Sequence, residues 1–241
     1  MQRDLGHAPA IRARILREAN GSYLRDSIDG AITGTVTTFA IVAGVVGANL
    51  PAVVALVLGL ASLIANGFAR AARNYSGATA DRDNYDRVLA IERKRIFLNA
   101  DGKREKIRQI LTGSGFTGDE VDRIVTVITS DEALLAKIVT AKEYGLSSPT
   151  RSAPQAALST FTGCTLCGLV PLITYLLADG LTVCIVATAS CFFLIGAIKA
   201  RCSSAKWWRS GIDTFFIGMS VAALALGVGH TLRLLINMPI Q

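Results

Sequence analysis

The chain reads as an all-α, polytopic membrane protein: five transmembrane helices with a helical cytoplasmic insertion between spans two and three. Three observations predict this. Five largely apolar stretches, at 27–48, 51–72, 153–178, 180–198 and 211–236, each reach or approach the roughly 20 helical residues that cross a hydrocarbon core of about 30 Å. They carry no polar stripe, so a soluble bundle of half-buried helices does not fit them. Threaded as five spans with the N-terminus in the cytoplasm, the chain places 24 of its 25 Lys and Arg on one side and only Arg233 on the other. That asymmetry is the positive-inside signature. The remaining long stretch, between spans two and three, is polar but patterned for helices.

Residues 1–26 form the first element, a cytoplasmic arm. Arg3, Arg12, Arg14, Arg17 and Arg25 lie opposite Ile11, Ile15 and Leu16, the pattern of a short amphipathic helix on the membrane surface. No apolar core or small-residue cleavage site precedes Ser27, so the arm is not expected to be a cleaved leader. Residues 27–73 form a transmembrane hairpin, since spans one and two are joined only by the turn at Asn49. Span one is dense in small residues, and Gly30-x-x-x-Gly34 lets another helix backbone approach closely, in a second copy or within one chain. Gly218, Ala222, Ala225 and Gly229 repeat the theme in span five.

Residues 74–152 form the cytoplasmic domain. Tyr85, Leu89 and Ile96 recur on one helical face, and Ile107, Ile110 and Leu111 mark a second helix that stops at Gly113–Gly115. Thr117-Gly-Asp-Glu120 has capping-box spacing and opens a third helix, with Val121, Ile124, Val125 and Ile128 on its apolar side. Ser130 is placed to cap a fourth, carrying Leu134, Leu135, Ile138 and Val139 and ending at Gly145. Pro149 and Pro154 mark the return to the membrane. Residues 153–241 complete the fold with spans three to five, the first two turning at Asp179-Gly180.

Composition excludes several functions. A net charge of +7 in a polytopic protein is accounted for by orientation and by anionic headgroups, so membrane lipids are the expected partners and nucleic acid is not. Five cysteines, four of them inside spans three and four, are not a disulfide framework. Cys164-x-x-Cys167 lacks a second pair or a His nearby in sequence and reads as packing. No nucleophile–base pairing, metal-ligand cluster or phosphate loop is present, so no enzyme and no resident cofactor is expected.

The residues resemble the vacuolar iron transporter family. The likeness rests on Tyr23-Leu-Arg-Asp, Gly30-Ala and Gly34-x-Val-Thr-Thr-Phe-Ala-Ile-Val-Ala-Gly in span one. Later stretches add Ala156-Ala-Leu-x-Thr-Phe, Pro171-Leu, Gly196-Ala-x-Lys-Ala, Trp208-Arg-Ser-Gly-Ile-Asp and Ile217-Gly. The resemblance covers roughly Tyr23 to Leu232. It implies a homodimer that moves Fe²⁺, and often Mn²⁺, out of the cytoplasm in exchange for protons, along a path between the subunits.

The resemblance also implies where the ion path lies, and there this chain departs from the pattern. The family's path-lining aspartate in span one falls on Thr33. In span two its metal-contacting methionine falls on Arg70 and a following glutamate on Asn74. Asp29, one turn before Thr33, and the hydroxyls of Thr33 and Thr37 are candidate compensating groups. Arg70 either snorkels to the headgroups beside Arg73 or pairs with Asp29. In the cytoplasmic domain the family's E-x-x-E pairs, which put two carboxylates on one helical face, survive only as remnants. Glu92 remains but Arg95 takes the second place; Lys103 and Lys106 replace the next pair, with Glu105 turned about 100° away; only Glu143 remains of the last. The expected function is a divalent-ion transporter with altered or weakened selectivity. The alternative is a non-transporting relative whose basic domain binds anionic lipid or an acidic partner. A bacterial cytoplasmic membrane is the expected location.

Overall fold

A computed structural model describes residues 8–113, 115, 117–149, 151–177, 181–202 and 206–236, with side chains from Ser22 onward except those of 100, 101, 103, 202 and 236. The apolar face expected of the N-terminal arm, Asp101, Lys103, the turn at Asp179-Gly180 and the Cys202 side chain lie outside the described residues. The regular structure of the described residues is helical, with no strand: α1 (Ala8–Gly47), α2 (Ala52–Leu98), α3 (Ala100–Gly113), α4 (Asp119–Thr129), α5 (Glu132–Glu143), α6 (Ala153–Leu177), α7 (Leu181–Lys199) and α8 (Trp207–Ile236), with a 3₁₀ turn at Ala200–Cys202. Five helical stretches are long and apolar enough to cross a membrane: Ser22–Gly47, Ala52–Leu98, Ala153–Leu177, Leu181–Lys199 and Trp207–Leu235. They correspond to the five spans expected from the sequence. By contacts the chain divides into one unit of Met1–Ser76 with Arg151–Gln241 and a second of Gly77–Thr150.

In the first unit, α1 and α6 run parallel at close range. Ser27 meets Gly163, Gly30 meets the backbone of Thr160 and Cys164, and Gly34 meets Cys164 and Gly168. A Cβ at Gly30 or Gly34 would strike a carbonyl of α6, so the small-residue face of span one is used within the chain. α2 lies along α6 in the opposite direction, with Gly59 on Leu172, Leu63 on Gly168 and Gly67 on Phe161. The reversal from α1 to α2 takes place at Asn49, whose φ of 58° is a left-handed conformation that asparagine tolerates. α7 and α8 are antiparallel, Gly196 meeting Ser210 and Thr214 while Phe192 meets Gly218. The core gathers Phe39, Val42, Val45, Ala55, Leu172, Cys184, Phe192 and Ala222, with the Phe39 and Phe192 rings tilted together at 6.5 Å. Outward faces stay apolar, as at Val57, Ile64 and Phe68 on α2, which suits contact with lipid.

The second unit packs Ile96, Ile107, Val121, Val125, Ile128, Leu135, Ala136 and Val139 into one small core. Three local expectations are corrected there. The Thr117–Glu120 capping box does not form: Gly118 is the N-cap at φ 64°, no side chain caps the helix, and the acids Asp119, Glu120 and Asp122 instead complement the dipole of the first turn. The cap of α5 is Asp131, whose carboxylate accepts from the amides of Ala133 and Leu134 at 2.9 and 3.2 Å. Ser130 closes α4 instead, its hydroxyl donating to the Val127 carbonyl. Leu134 is 39% exposed, and Ala136 takes its expected place in the core. Gly145, at φ 66°, ends α5 as expected.

Candidate functional site

Two polar clusters contain the residues singled out by sequence, one in each unit. In the first, Asp29 on α1 and Arg70 on α2 form an ion pair, with Arg70 Nη1 donating to Asp29 Oδ2. The Arg70 side chain is 29% exposed and that of Asp29 59%, so water screens the pair only in part. Of the two readings of Arg70, this geometry is the pairing.

Thr33 and Thr37 follow on the same side of α1. Thr33 donates to the Asp29 carbonyl at 2.9 Å and Thr37 to the Thr33 carbonyl at 2.8 Å. Each hydroxyl proton is thereby committed to the helix, which leaves an oxygen lone pair free to accept or coordinate. One turn along α2 from Arg70, Asn74 donates to the Thr160 hydroxyl of α6 at 2.6 Å. Thr160 is fully buried and passes its own proton to the Ala156 carbonyl. Gly30 is the residue that lets α1 reach Thr160, so Asp29, Arg70 and Asn74 gather where α1, α2 and α6 converge. A second ion pair fixes the start of the first span within α1: Arg151 donates to the buried Asp26 at 2.5 Å, while the Ser152 amide donates to the Tyr23 hydroxyl. Sequence reasoning missed this clasp; an Arg three residues before Pro154, facing the acidic edge of span one, was its only signal.

The second cluster surrounds Glu92, which is fully buried. Its Oε1 accepts from Arg95 Nη1 and from the Tyr144 hydroxyl, both at 2.9 Å. Arg95 also donates to the Tyr144 oxygen at 2.8 Å. Lys106 donates to Glu143 Oε1, and that hydrogen bond, helped by the charge of Glu143 and of Glu92, holds the ammonium above its ordinary pKa. Glu92 and Glu143 are thus brought together, with Lys106 and Arg95 between and beside them. Glu105 is not part of this group. It pairs with Arg108 at 3.0 Å, which also reaches Asp122. Tyr144 was not foreseen, because nothing in its spacing sets it apart from a helix-terminal aromatic.

Arg95 and Lys106 supply positive charge beside the carboxylates of Glu92 and Glu143. Among the described residues, no three His, Cys, Asp or Glu gather in a way that could hold a metal ion. The cysteines agree with the packing expectation: Cys164 and Cys184 are buried, and the Cys167 thiol meets that of Cys191 between α6 and α7.

These helices and their paired polar groups define a multi-pass helical membrane protein. A profile of the VIT family matches residues 24–230, and the chain belongs to that family. It is 29% identical over 222 residues to vacuolar iron transporter 2 of Oryza sativa subsp. japonica, covering 88% of this chain and 89% of the relative. It is 27% identical over 210 residues to vacuolar iron transporter 1 of Arabidopsis thaliana, covering 85% and 84%. The vacuolar iron transporter of Toxoplasma gondii is 25% identical over 235 residues, covering 90% of this chain and 77% of that protein.

Proposed function

We propose that this chain is a transporter that carries a divalent metal ion, Fe²⁺ or Mn²⁺, out of the cytoplasm in exchange for protons, with selectivity altered from that of its relatives. The observation that carries the reading is the end-to-end likeness to proteins named for iron transport. The N-terminus and the second unit lie in the cytoplasm in this reading, as the sorting of 24 basic residues against one supports. It works as a homodimer, by the same resemblance.

The ion path enters beside Asp29, Thr33 and Thr37. A dication leaving water needs oxygen ligands that offset its lost hydration, and one carboxylate with two hydroxyl oxygens is a sparse set. Arg70 governs whether that carboxylate is offered. Paired, the guanidinium neutralises Asp29: its own repulsion of a dication, roughly 6 kcal/mol at about 5 Å and an effective dielectric near 20, cancels the attraction the carboxylate would offer. Arginine cannot relieve this by losing its proton. The path therefore opens only when Arg70 moves off Asp29, and the freed carboxylate then takes a metal ion from one side or a proton from the other.

A second reading has its own support. Lys106 and Arg95 neutralise the acids around Glu92, which favours a relative that moves no ion and whose basic domain binds anionic lipid or an acidic partner. Purified protein in proteoliposomes separates the two. Transport predicts Mn²⁺ and Fe²⁺ entry that rises when the vesicle interior is more acidic than the bath, so that protons leave as the ion enters; no flux of either ion, with or without the gradient, leaves the second reading.

A further inference from the structure

From the basic end of the bundle, a groove runs down between α7 and α8. Its upper part is a cavity of about 680 Å³ lined by Leu194, Ala197 and Ile198 on α7, by Ala200 and Arg201 of the 3₁₀ turn, and by Lys206 and Trp207 where α8 begins. Leu194 also lines a second cavity of about 530 Å³, which continues along Ile185, Val186, Ala189 and Phe193 to Phe215 and Met219 of α8. The two share Leu194 and so follow one another along α7. The groove's walls are apolar apart from Ser190, whose hydroxyl donates to the Val186 carbonyl, and the two cations at the top.

From Ile198 to Ile185 the groove follows 13 residues of helix, roughly 20 Å at 1.5 Å per residue. One leaflet of a bilayer has a hydrocarbon depth of about 15 Å. The groove is therefore as long as a single acyl chain needs, and its mouth, at Ala200, Arg201 and Lys206, lies where the apolar stretch Leu181–Lys199 ends. The charges at its mouth are unspent, for neither Arg201 nor Lys206 pairs with a carboxylate among the described residues. Trp207 stands beside them with its ring edge-on to Phe193 at 6.2 Å. An indole at that depth is the usual marker of the interface.

We infer that this groove is a binding site for one anionic phospholipid. The phosphate is held by Arg201 and Lys206, and an acyl chain lies along Leu194 towards Ile185. Apolar walls alone would suit any lipid; the two unpaired cations select a net negative headgroup. Basic pockets between spans on the cytoplasmic face take such headgroups for the same reason. Neither Asp29 nor Arg70 lines the groove, and the proposal does not depend on what the chain carries.

Native mass spectrometry of the detergent-purified full chain tests this, titrating phosphatidylglycerol against phosphatidylcholine of the same acyl length. At about 1 kcal/mol per cation near the headgroups, the wild type should retain one phosphatidylglycerol per chain with roughly thirtyfold preference. Arg201→Ala with Lys206→Ala should bring that preference to within about threefold while leaving the melting temperature in phosphatidylcholine unchanged. Leu194→Trp, which fills the groove, should weaken both lipids together. Equal retention of the two lipids by the wild type would overturn the proposal, as would full preference in the double variant. So would equal protection by soluble glycerophosphate, which lacks the chain, or conversion of a dimer to a monomer by Leu194→Trp, which would make the groove a subunit contact.

Discussion

Arg70→Met isolates the electrostatic argument about the ion path. The pair it breaks is partly exposed on both sides, 29% and 59%, and pairs of that kind contribute about 0.2–1 kcal/mol to folding. The variant should therefore melt within a few degrees of the wild type. Its effect on a passing dication is larger. With Arg70 present, Asp29 and the guanidinium nearly cancel at the mouth; without it, a lone carboxylate faces the ion. At about 5 Å and an effective dielectric near 20 the difference is roughly 6 kcal/mol, and screening at a half-exposed site reduces it severalfold. A surviving 1.4–3 kcal/mol is about tenfold to a hundredfold in ion entry. Mn²⁺ uptake into proteoliposomes at low ionic strength measures this directly. Asp29→Ala should lower uptake below wild type, because it leaves the cation unopposed, and the two substitutions together should be non-additive by at least 1 kcal/mol. If Arg70→Met changes uptake by less than twofold at equal reconstitution, or if the double variant is simply additive, the pair is not the gate.

Three further outcomes follow from the packing. Asn74→Ala removes the 2.6 Å hydrogen bond to Thr160 and should cost about 0.6 kcal/mol, and no more than about 1.7, in a reversible unfolding titration in micelles. Asp131→Ala takes away both amide contacts at the start of α5 and should destabilise the second unit by about 1 kcal/mol, read as faster amide exchange across α4 and α5. Arg95→Glu with Lys106→Glu should create Mn²⁺-dependent thermal stabilisation absent from the wild type, about 2.7 kcal/mol at a hundredfold excess over Kd. The Lys106 bond has its own pH signature. Because its pKa is raised on folding, its contribution is fully present below the ordinary lysine value and is lost only as pH rises through the raised one. The destabilisation caused by Lys106→Met should therefore be constant from pH 7 to 9 and shrink in alkaline melts above about pH 10.5.

The spans were legible because length and charge sorting depend on composition alone, and neither needs a partner to be known. The Asp29–Arg70 pair was legible as one of two options, since the start of span one and the end of span two must meet on one face of the bilayer. What sequence could not supply was geometry that depends on backbone angles or on distant helices. Gly118 adopts a positive φ, and that alone defeats a capping box whose letters are all present. Asp131 caps α5 in place of Ser130 because the helix begins one residue later than the pattern suggested. The Gly30–Gly34 face suited a second copy or a neighbouring span equally well; the carbonyls of Thr160 and Cys164 decide for the latter. Tyr144 joins Glu92 across 52 positions of sequence, a separation no local pattern can report.

Lys106 has one more implication. A bridging ion departs when its supply runs low, and the acids it held then repel one another and spread. An ammonium tied to the chain by four methylenes cannot depart. With Lys106 bonded to Glu143 and Arg95 to Glu92, the charge that offsets these two carboxylates is carried by the chain itself, and the shape of this helical unit is expected to be the same in famine and in surfeit of metal.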